Sequence, residues 1–202
     1  MDNSSTQKQN AALLIVDMFN HFDFPEGPSL AKQALAVVDN IASLRKRFEA
    51  HQRPVIYVND NWTDWQGEFK DLVSACRASG GASGQLAEIL LPGSGNFYVL
   101  KPAQSAFFAS ALPVLLDQLR VDALVVTGIS TEACVLTTAT DARMRGYPVW
   151  VPEDCSAAPS ASRHRAALAL MKSSALIGGQ KAMPRRDLFP PTILSDMKQA
   201  SR

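Results

Sequence analysis

The sequence has few cysteines, no long hydrophobic run at its start and no excess of charge of either sign. Its three cysteines, Cys76, Cys134 and Cys155, are too few and odd in number for a disulfide framework, and they favour a reducing compartment. The apolar run that follows the polar N-terminus, residues 11–16, is too short for a secretory signal or a membrane span. We therefore expect a cytoplasmic protein without a membrane partner.

The charge balance also excludes a class of partner. The formal net charge is +1, so electrostatics give no reason to expect nucleic acid binding. Hydrophobic residues make up 47% of the 202 residues, which suits a single α/β domain with a sizeable core. We expect a flexible N-terminus over residues 1–10, one domain over 11–178 and a C-terminal tail over 179–202.

Short apolar runs alternate with longer amphipathic segments along the chain, which predicts alternating strands and helices. The predicted strands are residues 12–16, 55–59, 97–100, 123–128, 148–152 and 174–178. The predicted helices are residues 29–50, 109–119, 131–145 and 161–173, with helical stretches near 68–78 and 84–90. Apolar strands separated by helices indicate a three-layer α/β/α fold, in which helices cover both faces of a parallel sheet.

Three reactive side chains stand at equivalent ends of three predicted strands. Asp17 follows the first strand, Lys101 follows the third, and Cys134 lies in the first turn of the helix after the fourth. Ligands of parallel sheets bind at the carboxyl ends of the strands, where these side chains can converge. Each residue alone is more often a turn residue, a solvated charge or a small buried side chain. Their joint placement favours catalysis.

A thiol, an ammonium group and a carboxylate together support nucleophilic catalysis. A helix N-terminus, capped by Ser130 or Thr131, would favour the thiolate of Cys134. The Lys101 ammonium would stabilise that thiolate further. Asp17 could accept the thiol proton and return it to a leaving amine. The unpaired amides of the first helical turn could stabilise an oxyanion.

Three segments of the chain resemble the isochorismatase-like cysteine hydrolases. Residues 13–22, LLIVDMFNHF, look like the opening strand and aspartate of that family. Residues 99–110, VLKPAQSAFFAS, look like its lysine and the Ser-Ala-Phe segment that follows. Residues 125–158, VVTGISTEACVLTTATDARMRGYPVWVPEDCSAA, are the most specific match, because Gly, a small residue and Thr lead to a Cys-Val pair that opens a helix. The resemblance spans residues 11–178.

The resemblance implies a Rossmann-like domain with a six-stranded parallel sheet, which assembles into a dimer or a larger homo-oligomer. It implies that Asp17 is the base, Lys101 the electrostatic partner and Cys134 the nucleophile, and that no cofactor takes part. It further implies a cis peptide bond between Ile129 and Ser130, and an oxyanion hole formed by the amides of Ser130 and Cys134.

The chain departs from the family pattern after its first two strands. Nicotinamidases of this superfamily carry an Asp-x-His metal cluster after the second strand, whereas residues 57–66, YVNDNWTDWQ, contain no histidine. The sequence therefore predicts no metal site of that kind and disfavours nicotinamidase activity. Phe19 stands where Gln is common and His21 where Asp is common, which indicates an altered specificity.

Aromatic residues in the loops after the first three strands are candidate pocket residues. We select Phe22, Trp62 and Phe107 as walls of an apolar pocket for a small substrate. Each could instead be a core or subunit contact. His21 is a further candidate for the pocket, and the region 60–96 could form either a lid or a subunit interface.

We predict a hydrolase that cleaves a small amide or related C–N bond of a small-molecule substrate through Cys134 and a thioester intermediate. Hydrolysis of a vinyl ether, the isochorismatase reaction, is an alternative, because it needs the carboxylate and the lysine but no thiol. A non-catalytic binding or assembly module on the same fold is a second alternative, against which the intact trio of reactive residues argues. A dinucleotide site is disfavoured, because no G-x-G-x-x-G follows the first strand.

Overall fold

The computed structural model describes residues 10–173, which contain a parallel sheet of six strands. The strands are β1 (Ala11–Val16), β2 (Val55–Asp60), β3 (Phe97–Lys101), β4 (Ala123–Ile129), β5 (Val149–Trp150) and β6 (Ser156–Ala157). Their order is β3-β2-β1-β4-β5. β5 pairs with the first half of β4, and β6 pairs with its last two residues. The predicted parallel sheet of six strands is confirmed.

The sixth strand of this sheet is not the one that the sequence predicted. The predicted strand at residues 174–178, the predicted tail and residues 1–9 lie outside the described residues. β6 instead follows a 3-10 turn, Glu153–Cys155. The predicted fifth strand is also shorter than expected, because Pro148 and Pro152 have no N–H to donate to a neighbouring strand.

Helices cover both faces of the sheet. In the described part of the chain they are α1 (Gly27–Ala50), α2 (Phe69–Ser79), α3 (Gly81–Ile89), α4 (Leu112–Gln118), α5 (Leu136–Met144) and α6 (Ala161–Ser173). A π-helical turn, Thr131–Val135, opens the segment that was predicted as one helix over 131–145. Within residues 10–173, no helix combines the length and the hydropathy that a membrane crossing requires.

Alternate residues of the central strands enter two separate hydrophobic clusters. In β1, Leu13 and Ile15 share a cluster with α1, α2 and α3, whereas Leu14 and Val16 share one with α4, α5 and α6. Successive side chains of a strand point to opposite faces of the sheet. A strand that is buried on both faces therefore appears in the sequence as a continuous apolar run.

Close approach of β4 to β1 depends on Gly128. This residue has a φ of +112°, and a Cβ atom at this position would lie 2.0 Å from the carbonyl oxygen of Val16. Only glycine suits both the dihedral angle and the space. Asp17 follows Val16, and the π-helical turn Thr131–Val135 follows β4. The contact at Gly128 therefore sets the distance between Asp17 and this turn.

Two polar clamps hold the loops at the carboxyl edge of the sheet. The buried Asn59 side chain accepts a hydrogen bond from the Phe19 amide at 3.1 Å and donates one to the Phe19 carbonyl at 2.9 Å. The segment after β3 is anchored to α5, because Ser105 Oγ donates to Asp141 Oδ2 at 2.7 Å. The first clamp joins the loop after β1 to β2, and the second joins the segment after β3 to α5. Both give hydrogen-bond partners to polar groups that are shielded from water.

We expect Phe48→Ala to lower the free energy of unfolding by about 3–5 kcal/mol. The Phe48 side chain is 0% exposed and packs in the cluster under α1. Phe108→Ala is the matched control, because the same deletion at a ring that is 60% exposed should cost less than about 0.5 kcal/mol. Urea unfolding followed by circular dichroism measures both values, and equal losses would contradict this core.

Candidate active site

Lys101, the last residue of β3, has a fully buried side chain at the carboxyl edge of the sheet. Its Nζ atom lies 2.9 Å from Asp17 Oδ2 and 3.0 Å from the carbonyl oxygen of Ala103. Nζ also donates to Asp60 Oδ1 and lies 3.7 Å from Cys134 Sγ. An ammonium group has three N–H donors, and three protein oxygens surround this one. The structure thus brings the three predicted catalytic residues together around one buried cation.

Asp17 is held by the backbone of the neighbouring strand. Its amide donates to the Val58 carbonyl at 2.8 Å, and its Oδ1 atom accepts a hydrogen bond from the Asp60 amide at 2.8 Å. Its φ of 53° lies in the left-handed region, which aspartate tolerates better than most residues. These contacts aim the carboxylate away from the end of β1 toward Lys101.

Asp60 is a site residue that the sequence interpretation did not select. Its carboxylate pairs with Lys101, although the Asp60 side chain is 52% exposed. The predicted second strand ended at residue 59, whereas β2 ends at Asp60. The rule that led to Asp17 and Lys101, a polar residue where an apolar strand ends, also applies here and could have found it.

The nucleophile candidate lies in the π-helical turn after β4. Ser130 is the residue before this turn, and the peptide bond between Ile129 and Ser130 is cis, at the position that the resemblance implies. The Ser130 carbonyl accepts hydrogen bonds from the amides of Ala133 and Val135 at 3.2 and 3.1 Å. These bonds close the turn around Cys134, whose side chain is partly exposed.

The predicted side-chain cap of this turn is absent. The Ser130 hydroxyl makes no capping hydrogen bond with the turn, and the Thr131 hydroxyl instead lies 2.8 Å from His164 Nδ1 on α6. The reason is the packing of α6 against the turn, which gives Thr131 a closer partner. Burial lowers the pKa of His164, so this contact involves a neutral imidazole at pH 7.

The electrostatics of the site oppose a preformed thiolate. Burial raises the pKa of the Cys134 thiol, and the charge of Asp17 raises it further, while Lys101 lowers it only in part. The Lys101 ammonium lowers the pKa of Cys134, as the sequence analysis expects, but its effect is the smaller one. Because burial and Asp17 outweigh Lys101, the pKa of the Cys134 thiol lies above its usual range, which favours the neutral thiol.

Asp17 has the properties of a general base. Burial raises the pKa of its carboxyl group to about 6, although Lys101 lowers it and Asp60 raises it. The pKa of the Lys101 ammonium lies above its usual range, because Asp17, Cys134 and Asp60 outweigh the effect of its burial. At neutral pH these shifts favour an ionised Asp17, a charged Lys101 and a neutral Cys134 thiol.

Ligand atoms of Asp17, Asp60 and Cys134 lie within 4.8 Å of one another, which is the geometry of a possible metal site. The Lys101 ammonium contacts all three side chains. A divalent cation among them would stand beside a buried positive charge and would compete with it for the same oxygens. These residues therefore fit the lysine better than they fit a metal ion.

The predicted pocket residues separate into two groups. Phe22 is 7% exposed and Phe107 is 3% exposed, and each packs in one of the two hydrophobic clusters. The structure thus gives both rings a packing role. Trp62 is 37% exposed, and its ring contacts His21 edge to face with the centroids 4.5 Å apart. His21 and Trp62 join the loops that follow β1 and β2, at the edge that carries the site.

Comparisons with known proteins identify the family of this chain. The family model of the isochorismatase domain matches residues 11–179. The chain is 37% identical over 166 residues to the uncharacterized isochorismatase family protein YaaI of Bacillus subtilis, and the match covers 82% of this chain and 91% of that protein.

Two further relatives have named activities. The chain is 27% identical over 168 residues to the maleamate amidohydrolase of Pseudomonas putida, a match that covers 78% of this chain and 76% of that protein. The solved structure of the nicotinamidase SaPncA from Staphylococcus aureus superposes with a TM-score of 0.64 at 26% identity, over 82% of this chain and 95% of that one. This chain therefore belongs to the isochorismatase family, whose members are hydrolases.

Proposed function

We propose that this protein hydrolyses a small amide or a related C–N bond through Cys134 and a thioester intermediate. The observation that carries the proposal is the contact of the Lys101 ammonium with both the Asp17 carboxylate and the Cys134 sulfur. The similarity to a maleamate amidohydrolase and to a nicotinamidase, two amide-cleaving enzymes by name, supports it.

Asp17 starts the reaction as the base. At neutral pH a carboxylate whose pKa is about 6 is ionised and still basic enough to accept a proton efficiently. As Cys134 Sγ attacks the carbonyl carbon, its proton passes to Asp17, and the electron pair of the C=O bond moves to the oxygen. The neutral resting thiol is therefore activated only when a substrate is in place.

The tetrahedral intermediate then collapses. The amides of Ser130 and Cys134 are the proposed donors to its oxyanion. The C–N bond breaks, the proton on Asp17 passes to the nitrogen, and ammonia or an amine leaves behind a thioester. Asp17 next takes a proton from water, whose oxygen attacks the thioester carbon, and the departing thiolate regains that proton as the acid is released.

Lys101 keeps its charge throughout the cycle, because its pKa lies above its usual range. It lowers the pKa of both Asp17 and Cys134. Proton transfer from the thiol to the carboxylate moves negative charge from one neighbour of the ammonium group to the other. Lys101 can thus stabilise both states without moving.

Vinyl ether hydrolysis is the second candidate. It needs a carboxyl group that can exchange a proton near neutral pH, and the pKa of about 6 for Asp17 meets that need. It does not need the thiol. A non-catalytic module would need neither group, and the arrangement of four interacting side chains argues against that role.

We expect Cys134→Ala and Cys134→Ser to lower amide turnover by at least about 1000-fold, as removal of a nucleophile does in other hydrolases. Turnover is measured as the release of ammonia from a panel of small amides, ureides and carbamoyl compounds, nicotinamide included. The assay is run with and without EDTA to detect any dependence on a metal ion. Cys76→Ala is the control and should keep full activity. Amide turnover that survives in both Cys134 variants would contradict the role of Cys134 as the nucleophile.

The pH dependence of kcat/KM should show an acid limb with its midpoint near the Asp17 pKa of about 6. Activity rises as the pH passes upward through that value, because only the ionised carboxylate accepts the thiol proton. Asp17→Asn should abolish the activity at every pH. A wild-type profile that stays flat down to pH 5 would count against Asp17 as the base.

Iodoacetamide should label Cys134 of the free enzyme more and more rapidly as the pH rises above about 8.5, the value for a free thiol. This follows from the raised pKa of the Cys134 thiol. At any given pH, Lys101→Ala should label more slowly than the wild type, because loss of the ammonium group raises the pKa of Cys134. Mass spectrometry separates Cys134 from the buried Cys76 and Cys155, and a rate that levels off below pH 8.5 would contradict the neutral resting thiol.

A further inference from the structure

We propose that this site selects amides that carry no negative charge, and that the carboxylate of Asp60 excludes anionic ones. The inference rests on the proposed amide hydrolysis and goes beyond it by naming the charge class of the substrate. It distinguishes this chain from its relative that is named for maleamate, which is a carboxylate.

Lys101 is not available to bind a substrate anion. Its side chain is 0% exposed, and its Nζ atom donates to Asp60, to the Ala103 carbonyl and to the Cys134 sulfur and forms an ion pair with Asp17. A substrate carboxylate could reach the ammonium only by displacing one of these groups. The Lys101 ammonium is therefore neutralised by groups of the protein and is not free to bind a substrate anion.

The charges around the nucleophile sum to a negative value. Those that act on the Cys134 sulfur come from Asp17, Lys101 and Asp60, which together carry one net negative charge when the thiol is neutral. Asp60 lies on the open side, since its side chain is half exposed while Asp17 is 5% exposed. An anionic group that approaches Cys134 meets the Asp60 carboxylate and is repelled.

Two basic side chains of α6, the helix that packs against the π-helical turn, also have partners within the protein. Glu132, two residues before Cys134, acts electrostatically on Arg163 and His164 of α6. Arg163 pairs with Glu26 at 2.6 Å, and His164 is bonded to Thr131. Glu132 itself adds a further negative charge to the π-helical turn.

The rim beside Asp60 suits a neutral or cationic group. Trp62, two residues after Asp60, is 37% exposed and is braced by His21, whose Nδ1 atom lies 2.8 Å from Ser79 Oγ. An exposed aromatic ring in the loop that follows Asp60 favours apolar groups and cations over anions. The carboxylate can accept a hydrogen bond from the substrate nitrogen.

Alkylation of Cys134 tests the proposal without a known substrate. The second-order rate constants of iodoacetamide and iodoacetate at Cys134 are compared at pH 9.5, where labelling of this thiol is expected to be measurable, and each is divided by the rate constant with 2-mercaptoethanol, a neutral thiol. We expect the neutral reagent to be favoured by about tenfold or more, as repulsion between two nearby charges implies. Equal rates, faster labelling by iodoacetate, or no labelling by either reagent would overturn the proposal.

The variant Asp60→Asn should remove most of this preference. Asp64→Asn is the matched control, because Asp64 is an exposed aspartate of the same loop and should leave the preference unchanged. Circular dichroism and thermal unfolding establish that both variants are folded. A preference that persists in Asp60→Asn would mean that another group excludes anions, and the role given to Asp60 would be wrong.

A substrate pair separates this inference from the proposed function. Succinamide and succinamate differ only in the charge of the end remote from the cleaved amide. Faster turnover of succinamide, with a larger difference in KM than in kcat, supports the charge selection, and equal or faster turnover of succinamate overturns it. If neither these nor other amides are cleaved while the alkylation preference holds, the proposed function fails and the charge selectivity stands.

Discussion

The buried ammonium group of Lys101 is the constraint on which the geometry of this site depends. Removing such a charge from water costs several kcal/mol unless acceptors surround it. The acceptors come from the ends of β1 and β2 and from the loop after β3, so these segments must meet at one point. The close contact at Gly128 then brings the π-helical turn that contains Cys134 to the same point. The register of the sheet therefore determines which side chains surround Lys101.

The charged side chains around Lys101 also control the ionisation of the Cys134 thiol. Burial and Asp17 raise the pKa of the Cys134 thiol, which keeps it neutral and weakly reactive in the free enzyme. In the proposed mechanism, the carboxylate that suppresses ionisation is also the base that removes the proton when a carbonyl carbon is in place. The second carboxylate, Asp60, balances Lys101 and leaves the site with a negative charge. The two proposals therefore assign both the reactivity of the thiol and the selection of substrate charge to the same four side chains.

Sequence patterns predicted the elements better than they predicted the interactions. The apolar runs located the central strands, because burial on both faces demands continuous hydrophobicity. The position of reactive residues at strand ends led to Asp17, Lys101 and Cys134, because parallel strands share one carboxyl edge. Asp60 was missed, since the predicted second strand stopped one residue too early. The effect of burial and of Asp17 on the pKa of the Cys134 thiol was not predicted, because desolvation depends on burial by segments that are distant in the sequence.

The sequence by itself determined the fold class, the family resemblance and the identity of the three reactive residues, since each follows from local patterns of residue type. Only the tertiary structure decided how these residues interact. The depth of Lys101, the partnership with Asp60, the hydrogen-bond partner of Thr131 and the burial of Phe22 and Phe107 all arise from contacts between separate elements. Electrostatic energies depend on distance and on exposure to water, and both quantities exist only once the chain has folded.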